Sequence, residues 1–421
     1  MRKRKVAILL LGALFISLNM KVEARELSSL EIQIDAKLKL LNKPAIKTIK
    51  SEDGDIIDCV DIYKQPAFDH PALKYHTIQE MPSILLENHD SSIKGNASKS
   101  KSVIFQKWQK SGNCPKGTIP IRRIQREDLL RVSSVERFGM KPPQPFQKST
   151  NDHNNHFLNL NSRAPQNRSA AYIATMGYNY IGAQADINVW NRNGCVKLPD
   201  DFTTAQIWLM TANGPHYFES IEAGWMVNPK FYGDNASRLF AYWTRDSHKS
   251  TGCFDLSCSG FVQTNNEVAL GAAFQPVSSK NGTQYSLKFG LFLDTNTQNW
   301  WLKVKNTIPI GYWPAKILRN LRQSAIVVQW GGEVFSPNIE KKPHTGTVMG
   351  SGEFASGLWG NSCYIKNITI MDYSLQLKPP EYVVTVADEP YCYSSLYFRD
   401  AYFGGPIFYF GGPGRNPPFC P

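Results

Sequence analysis

Two glutamates stand where strand-forming sequence gives no reason for a charge. In the stretch 218–227 the alternate residues Ile221, Ala223, Trp225 and Val227 define a core face, which puts Ser220, Glu222, Gly224 and Met226 on the opposite one. The stretch 324–335 repeats the arrangement, with Ile326, Val328, Trp330 and Val334 on one face and Gln329, Gly331 and Glu333 on the other. Glutamate is a poor strand former, and each of these has a glycine two residues away on its own face. Such a glycine leaves bare backbone, so an extended ligand can lie close to the carboxylate.

Two carboxylates facing one groove suffice for hydrolysis. Held a few ångströms apart, they resist double ionisation and share a proton over a wide acidic range. The ionised member takes a proton from water while the protonated one polarises a scissile carbonyl and supplies a proton to the leaving nitrogen. A pair at another separation could instead cleave a glycosidic bond. The competing account is a solvated sheet face, and Glu219, Asp234, Asp246, Glu353 and Asp372 are further carboxylates that alternation does not exclude.

Other residues offer less. His216, His248 and His344 assemble into neither a metal-ligand nor a triad pattern, so no metal or cofactor is expected. Ser351, between Gly350 and Gly352, lacks the frame and strand-to-helix setting of a nucleophile elbow and reads as a turn. Trp208, Tyr217, Tyr242 and Trp243 could offer flat faces to substrate, although aromatics in a β-sandwich more often fill the core. Ser220 and Gln329 share faces with the two glutamates and could position water or orient a carboxylate.

The elements that must carry these residues are mostly strands. Beyond Ala164, aromatic and β-branched runs at 187–190, 204–210, 218–227, 239–244, 285–293, 300–304, 325–334 and 364–370 alternate with Gly, Asn and Asp turns. That spacing predicts an all-β, antiparallel sandwich of jelly-roll type, with one helical cap at 314–322. The preceding part, 25–161, is more polar. Leu27, Leu30, Ile34, Leu38 and Leu41 predict an amphipathic helix ending before Pro44, and a second is expected over 127–138, together a small α+β unit. Residues 141–163, rich in Pro and Asn, read as an exposed linker open to proteolysis.

Export is written at the start of the chain. Arg2 to Lys5 precede the apolar run 6–18, and Val22-Glu23-Ala24 suits signal peptidase, so residues 1–24 read as a secretory leader. No later stretch approaches the ~20 apolar residues of a membrane span. Loss of the leader lowers the net charge from +12 to +8, scattered rather than striped, which excludes a nucleic-acid-binding role. The 8 cysteines and the sequons at Asn96, Asn167, Asn235, Asn281 and Asn367 agree with an oxidising destination. Expected pairs are Cys253 with Cys258, Cys392 with Cys420, Cys59 with Cys114 and, by elimination, Cys195 with Cys363.

Several motifs together carry a resemblance. Ser220-Ile221-Glu222-Ala223-Gly224-Trp225, Phe231-Tyr232-Gly233-Asp234, Tyr242-Trp243-Thr244, Cys258-Ser259-Gly260-Phe261-Val262-Gln263, Trp330-Gly331-Gly332-Glu333-Val334 and Met349-Gly350-Ser351-Gly352 occur in this order. Upstream stand Asp53-Gly54-Asp55-Ile56-Ile57-Asp58-Cys59-Val60, Gln65-Pro66-Ala67-Phe68-Asp69-His70-Pro71 and Cys114-Pro115-Lys116-Gly117-Thr118. The chain resembles the neprosin family of secreted plant proteins over both the activation peptide and the catalytic part. The resemblance implies a glutamic peptidase made as a zymogen and cutting after proline, with Glu222 and Glu333 as the catalytic pair. It further implies a proline-containing peptide as substrate, the chain's own propeptide (25–161) as partner of the catalytic part (162–421), and secretion as a monomer to the cell wall or vacuole. Glu353 departs from the family, which often has His there. His70, His76 and carboxylates that pair at the interface are candidates for acid-weakened docking of the propeptide. The alternative is a non-catalytic sandwich binding cell-wall polysaccharide through exposed aromatics.

Overall fold

The computed structural model describes residues 29–83, 105–142, 167–191, 194–211, 217–305, 308–400 and 405–421. The leader, Asn96, His216 and most of the stretch read as a linker fall outside them.

The N-terminal unit begins with a helix over 29–41 (α1), which turns Ile34 and Leu41 inward and stops before Pro44. Strands Ala45–Lys50 (β1) and Ile56–Asp61 (β2) follow; Phe105–Gln106 (β3) pairs with residues 274–275 in a separate two-stranded sheet, and Thr118–Arg122 (β4) pairs with β2. The Cys59–Cys114 disulfide ties this small sheet to the turn before β4. The second expected helix is short, Arg126–Leu130 (α2). Val132, Ser133, Ser134 and Val135 come next, and β-branched residues and serines are weak helix formers.

The remainder is antiparallel strand: Arg168–Asn188 (β5), Phe202–Met210 (β6), Ser220–Val227 (β7), Arg238–Thr244 (β8), Val262–Gln263 (β9), Phe274–Gln275 (β10), Ser286–Asp294 (β11), Asn299–Val304 (β12), Ile308–Trp313 (β13), Ala325–Phe335 (β14), Cys363–Asp372 (β15), Leu377–Lys378 (β16), Val384–Ala387 (β17), Ser394–Asp400 (β18) and Gly405–Gly411 (β19). One leaf runs β8-β7-β6-β14-β5; the other continues from β5 through β11, β12 and β13 on one side and β15, β19 and β18 on the other. β5 belongs to both leaves. Residues 168–180 pair with β14 and 182–188 with β11, so this one strand curls the sheet into a sandwich.

Ile173, Ile207, Ile221, Trp225, Val328 and Trp330 of the first leaf pack against Leu291, Trp301 and Phe408 of the second. Ala67, Leu73 and Ile119 of the N-terminal unit join the same core. The expected alternation fails at one position: the register shift between Ala325 and Val327 turns Ile326 outward, where it is 37% exposed. The expected cap at 314–322 shrinks to one 3-10 turn, Ala315–Ile317. The cause is local, because the buried carboxylate of Glu219 takes the N–H groups of Arg319, Asn320 and Leu321, which a helix would have used.

Disulfides join Cys59–Cys114, Cys253–Cys258 and Cys392–Cys420. The fourth expected pair is not formed: Cys195 and Cys363 are both buried and no disulfide joins them. Elimination assumes that every cysteine of an exported chain is oxidised, and a small buried thiol is equally at home in a core. Asn235, Asn281 and Asn367 are exposed and Asn167 is half-buried; the amide of Asn367 donates to Asp186 at 2.6 Å. No helix among the described residues is long and apolar enough to cross a membrane.

Candidate active site

Register fixes a grid on the outer face of the first leaf. Glu222 stands opposite Trp208, which stands opposite Gln329. Two residues along, Gly224, Gln206, Gly331 and Tyr172 align across four strands; the next row is Met226, Thr204, Glu333 and Ala170. Glu222 and Glu333 therefore lie on one diagonal with Gln206 at its centre. Alternation in β7 and β14 places both carboxylates on the face away from the core, as the sequence pattern requires.

That face is covered. Leu129, Val135 and Phe138 of the N-terminal unit form a buried cluster with Met226, Phe231, Phe240, Tyr242 and Phe254. The cover continues into Lys141, which the sequence reading assigned to an exposed linker. Lys141 is 1% exposed. Its Nζ lies 2.6 Å from Glu222 Oε2 and 3.6 Å from Glu333 Oε1, and over the rings of Tyr242 and Phe254 at 5.0 and 6.0 Å. Gly139 lets the strap press so close: at φ +80°, a Cβ there would fall 1.9 Å from Ser257 Oγ. Its carbonyl accepts the N–H of Phe254 at 2.8 Å. Composition hid this segment, because a single ammonium on an apolar stem carries no periodicity.

The two carboxylates are held differently. Glu222 accepts hydrogen bonds from Ser220 Oγ at 3.0 Å and Gln206 Nε2 at 2.7 Å in addition to Lys141. Glu333 has Lys141 and, at 3.8 Å, Arg168 Nη1. Burial pushes the Glu333 carboxyl up, but Lys141 and Arg168 outweigh it and hold it below the usual glutamate range. Burial, with Arg168 and Lys141, pushes the imidazole of His248 well below its ordinary value, and its Nδ1 pairs with the Tyr242 hydroxyl at 2.9 Å.

Of the residues expected at substrate, Ser220, Trp208, Gln329 and Tyr242 lie on the glutamate face or beside it. Trp243 does not. It alternates to the other side of β8 and packs in the core, against Gly260. Tyr217 sits apart, its hydroxyl accepting from Arg319 at 2.9 Å. The competing carboxylates have other duties. Glu219 anchors the 319–321 backbone, Asp234 pairs with Arg238, Asp246 caps the 249–251 turn, Glu353 pairs with Lys280 and Asp372 with Lys378. His344 lies within 4.8 Å of the Cys392 and Cys420 sulfurs, which are spent on a disulfide. Ser351 accepts the Glu353 N–H at 3.3 Å in a turn between two left-handed glycines.

Sequence reasoning missed Gln206, Tyr172, Arg168 and Lys141. Alternation through Thr204 to Met210 puts Gln206 on the Trp208 face, a signal that was available. Arg168 opens β5, whose alanines and glycines conceal it as a strand.

An antiparallel β-sandwich whose carboxylate-bearing face is covered by the chain's own N-terminal unit is the class defined here. The Neprosin family model matches residues 199–413 and the Neprosin activation peptide model residues 48–168, so the chain belongs to the neprosin family and carries that family's activation peptide. Most of β5 lies between the two matches. Among solved structures, Scytalido-glutamic peptidase with a peptide-based transition state analogue aligns at 8% identity and TM-score 0.30, over 58% of this chain and 97% of that one. Toad ovary galectin with thio-digalactose aligns at 11% identity and TM-score 0.22, over 39% of this chain and 95% of that one. Overlaps this slight carry no weight for function.

Proposed function

We propose that this chain is the latent precursor of a secreted glutamic peptidase that cuts proline-containing peptides after proline in acid, with Glu222 and Glu333 as its acid/base pair. The observation that carries the reading is the shared ammonium: one Lys141 Nζ within 2.6 Å of Glu222 and 3.6 Å of Glu333 means both carboxylates reach one point, the place a water molecule would take. Residues 1–24 act as leader, 25–161 as activation peptide and 162–421 as the catalytic part, with glycans on the exposed sequons.

Once the strap is removed, the water oxygen forms a bond to the scissile carbonyl carbon and its proton passes to the ionised glutamate. The protonated partner gives its proton to the leaving nitrogen as the C–N bond breaks, and return of the gained proton across the pair restores the starting state. The glycine row between the glutamates supplies floor for an extended chain, and Trp208 and Tyr172 supply flat faces for a pyrrolidine ring. The test is to incubate wild type, Glu222→Gln and Glu333→Gln at acid pH with a proline-containing peptide and read new termini by mass spectrometry. Cleavage after proline by wild type and a loss of about 10²–10⁴-fold in each variant is expected; undiminished self-processing in either variant overturns the pair.

A further inference from the structure

Gln206 lies on the diagonal between the two glutamates, fully buried, and its amide is half used. Nε2 donates to Glu222 Oε2 at 2.7 Å, whereas the carbonyl Oε1 is buried with no hydrogen-bond partner among the described residues. A buried amide oxygen without a donor is costly, and such atoms in a folded protein call for an explanation. The neighbouring strands press close along this row. Gly224 and Gly331 flank it in register on both sides. A Cβ on Gly224 would come within 2.6 Å of Gln206 Cα and 2.8 Å of its Cβ, and one on Gly331 within 2.6 Å of Tyr172 Cβ. Either glycine substituted would push its neighbour in this row out of place.

We propose that Gln206 is a water-positioning residue: its N–H orients the Glu222 carboxylate, and its free carbonyl takes the second hydrogen of the water that Glu222 deprotonates. The inference rests on the peptidase reading and adds a residue to it. An amide is the side chain suited to this task, because it offers a donor to a carboxylate at one end and an acceptor to a water hydrogen at the other, and does not titrate. In the latent form Lys141 occupies the water's place, which leaves the amide carbonyl with nothing to accept. Ser220 makes a separate contact to the other oxygen of Glu222 and fixes its rotation.

The test compares Gln206→Met, which keeps the length and loses both polar ends, with Gln206→Glu, which keeps an acceptor and loses the donor, in the acid-activated protein on a proline-containing peptide. For Gln206→Met, kcat should fall about 10–100-fold with KM changed less than about 3-fold, and the acid limb of kcat should move to higher pH because ionised Glu222 has lost a donor. Gln206→Glu should keep more kcat than Gln206→Met and show the same direction of limb shift. Carboxyl protonation followed by difference infrared spectroscopy asks the same question without turnover: in a Glu333→Gln background, the Glu222 carboxyl band should titrate at higher pH when Gln206→Met is added. Should Gln206→Met fail to fold by near-ultraviolet circular dichroism, Gln206→Glu carries the limb-shift and infrared tests. An unmoved acid limb and an unmoved carboxyl titration overturn the role of Gln206. Wild type that leaves every peptide intact while its carboxyl titration still depends on Gln206 overturns the peptidase reading, and the water-positioning role with it, and leaves only the hydrogen bond from Gln206 to Glu222.

Discussion

The ammonium of Lys141 reaches the carboxylate of Glu222 across 81 residues of sequence and meets it at 2.6 Å, with both side chains sealed from solvent. An isolated ion in such a place is costly, so each partner is tolerable only while the other is there.

Lys141→Met should therefore have two effects. The intact precursor should show peptide cleavage before any processing, because the water's place is open. Its unfolding free energy at pH 7 should fall by about 3–5 kcal/mol, the usual cost of leaving buried charge uncompensated, and the loss should shrink in acid as the glutamates protonate. Urea denaturation at two pH values, with a basal cleavage assay, checks both; an equally latent precursor would remove Lys141 from the block.

Acid should weaken the block in a definite window. Glu333 titrates below the ordinary glutamate range in the latent form because of Lys141 and Arg168, so its contribution is complete above the unfolded glutamate value, about 4.3, and is lost as pH falls through the depressed folded value. The strap should stay closed at mildly acid pH and open only below it. Without Lys141, the Glu333 titration should move upward. Carboxyl titration by nuclear magnetic resonance on the Glu222→Gln precursor, which on the proposed mechanism does not process itself, reads both positions.

A second clasp holds the N-terminal unit to the sandwich. Asp55 meets Arg238 at 2.6 Å and Arg122 at 3.0 Å, all three buried, and Arg238 also pairs with Asp234. Asp55→Ala leaves two guanidinium groups short of charge and should cost about 3–5 kcal/mol of docking. The pH at which self-processing begins should rise toward neutrality, measured by gel mobility against pH. Gln79 and Ser83 on Asp294 form an independent contact and should keep partial latency in that variant.

Asp255 gives a pH signature of opposite sign. Burial pushes its carboxyl up to about 7 from the ordinary value of 3.8, against the Tyr232 hydroxyl and the Ala241 N–H that favour the ionised form. The folded chain thus holds a proton that the unfolded chain releases between those values, and this group's contribution declines as pH rises from about 4 to 7. Asp255→Asn should flatten that slope in denaturation curves and be more stable than wild type above pH 7.

How far the sequence disclosed this arrangement depends on periodicity. Strands β6, β7, β8, β11, β12 and β14 follow alternating aromatic and β-branched runs, and the same alternation put Glu222 and Glu333 on one face. β5 escaped because Ala170, Ala171, Ala174, Gly177, Gly182, Ala183 and Ala185 give it no bulky pattern; a strand shared by two leaves has neighbours on both sides and needs small side chains. Trp243 was misplaced although alternation with Tyr242 allowed only one of the two to face the glutamates. Lys141 was beyond reach, since nothing in a proline-rich polar stretch marks which lysine will meet two acids more than 80 residues away.

β5 opens at Arg168, the residue that also reaches Glu333 at 3.8 Å. Maturation by a cut upstream of it would leave a new amino terminus a short tether from the paired carboxylates. Affinity tags or fusion partners placed at that end would dangle over the carboxylate-bearing face, whereas the carboxyl terminus, clipped down by Cys392–Cys420, is the end from which to immobilise the protein on a resin or biosensor.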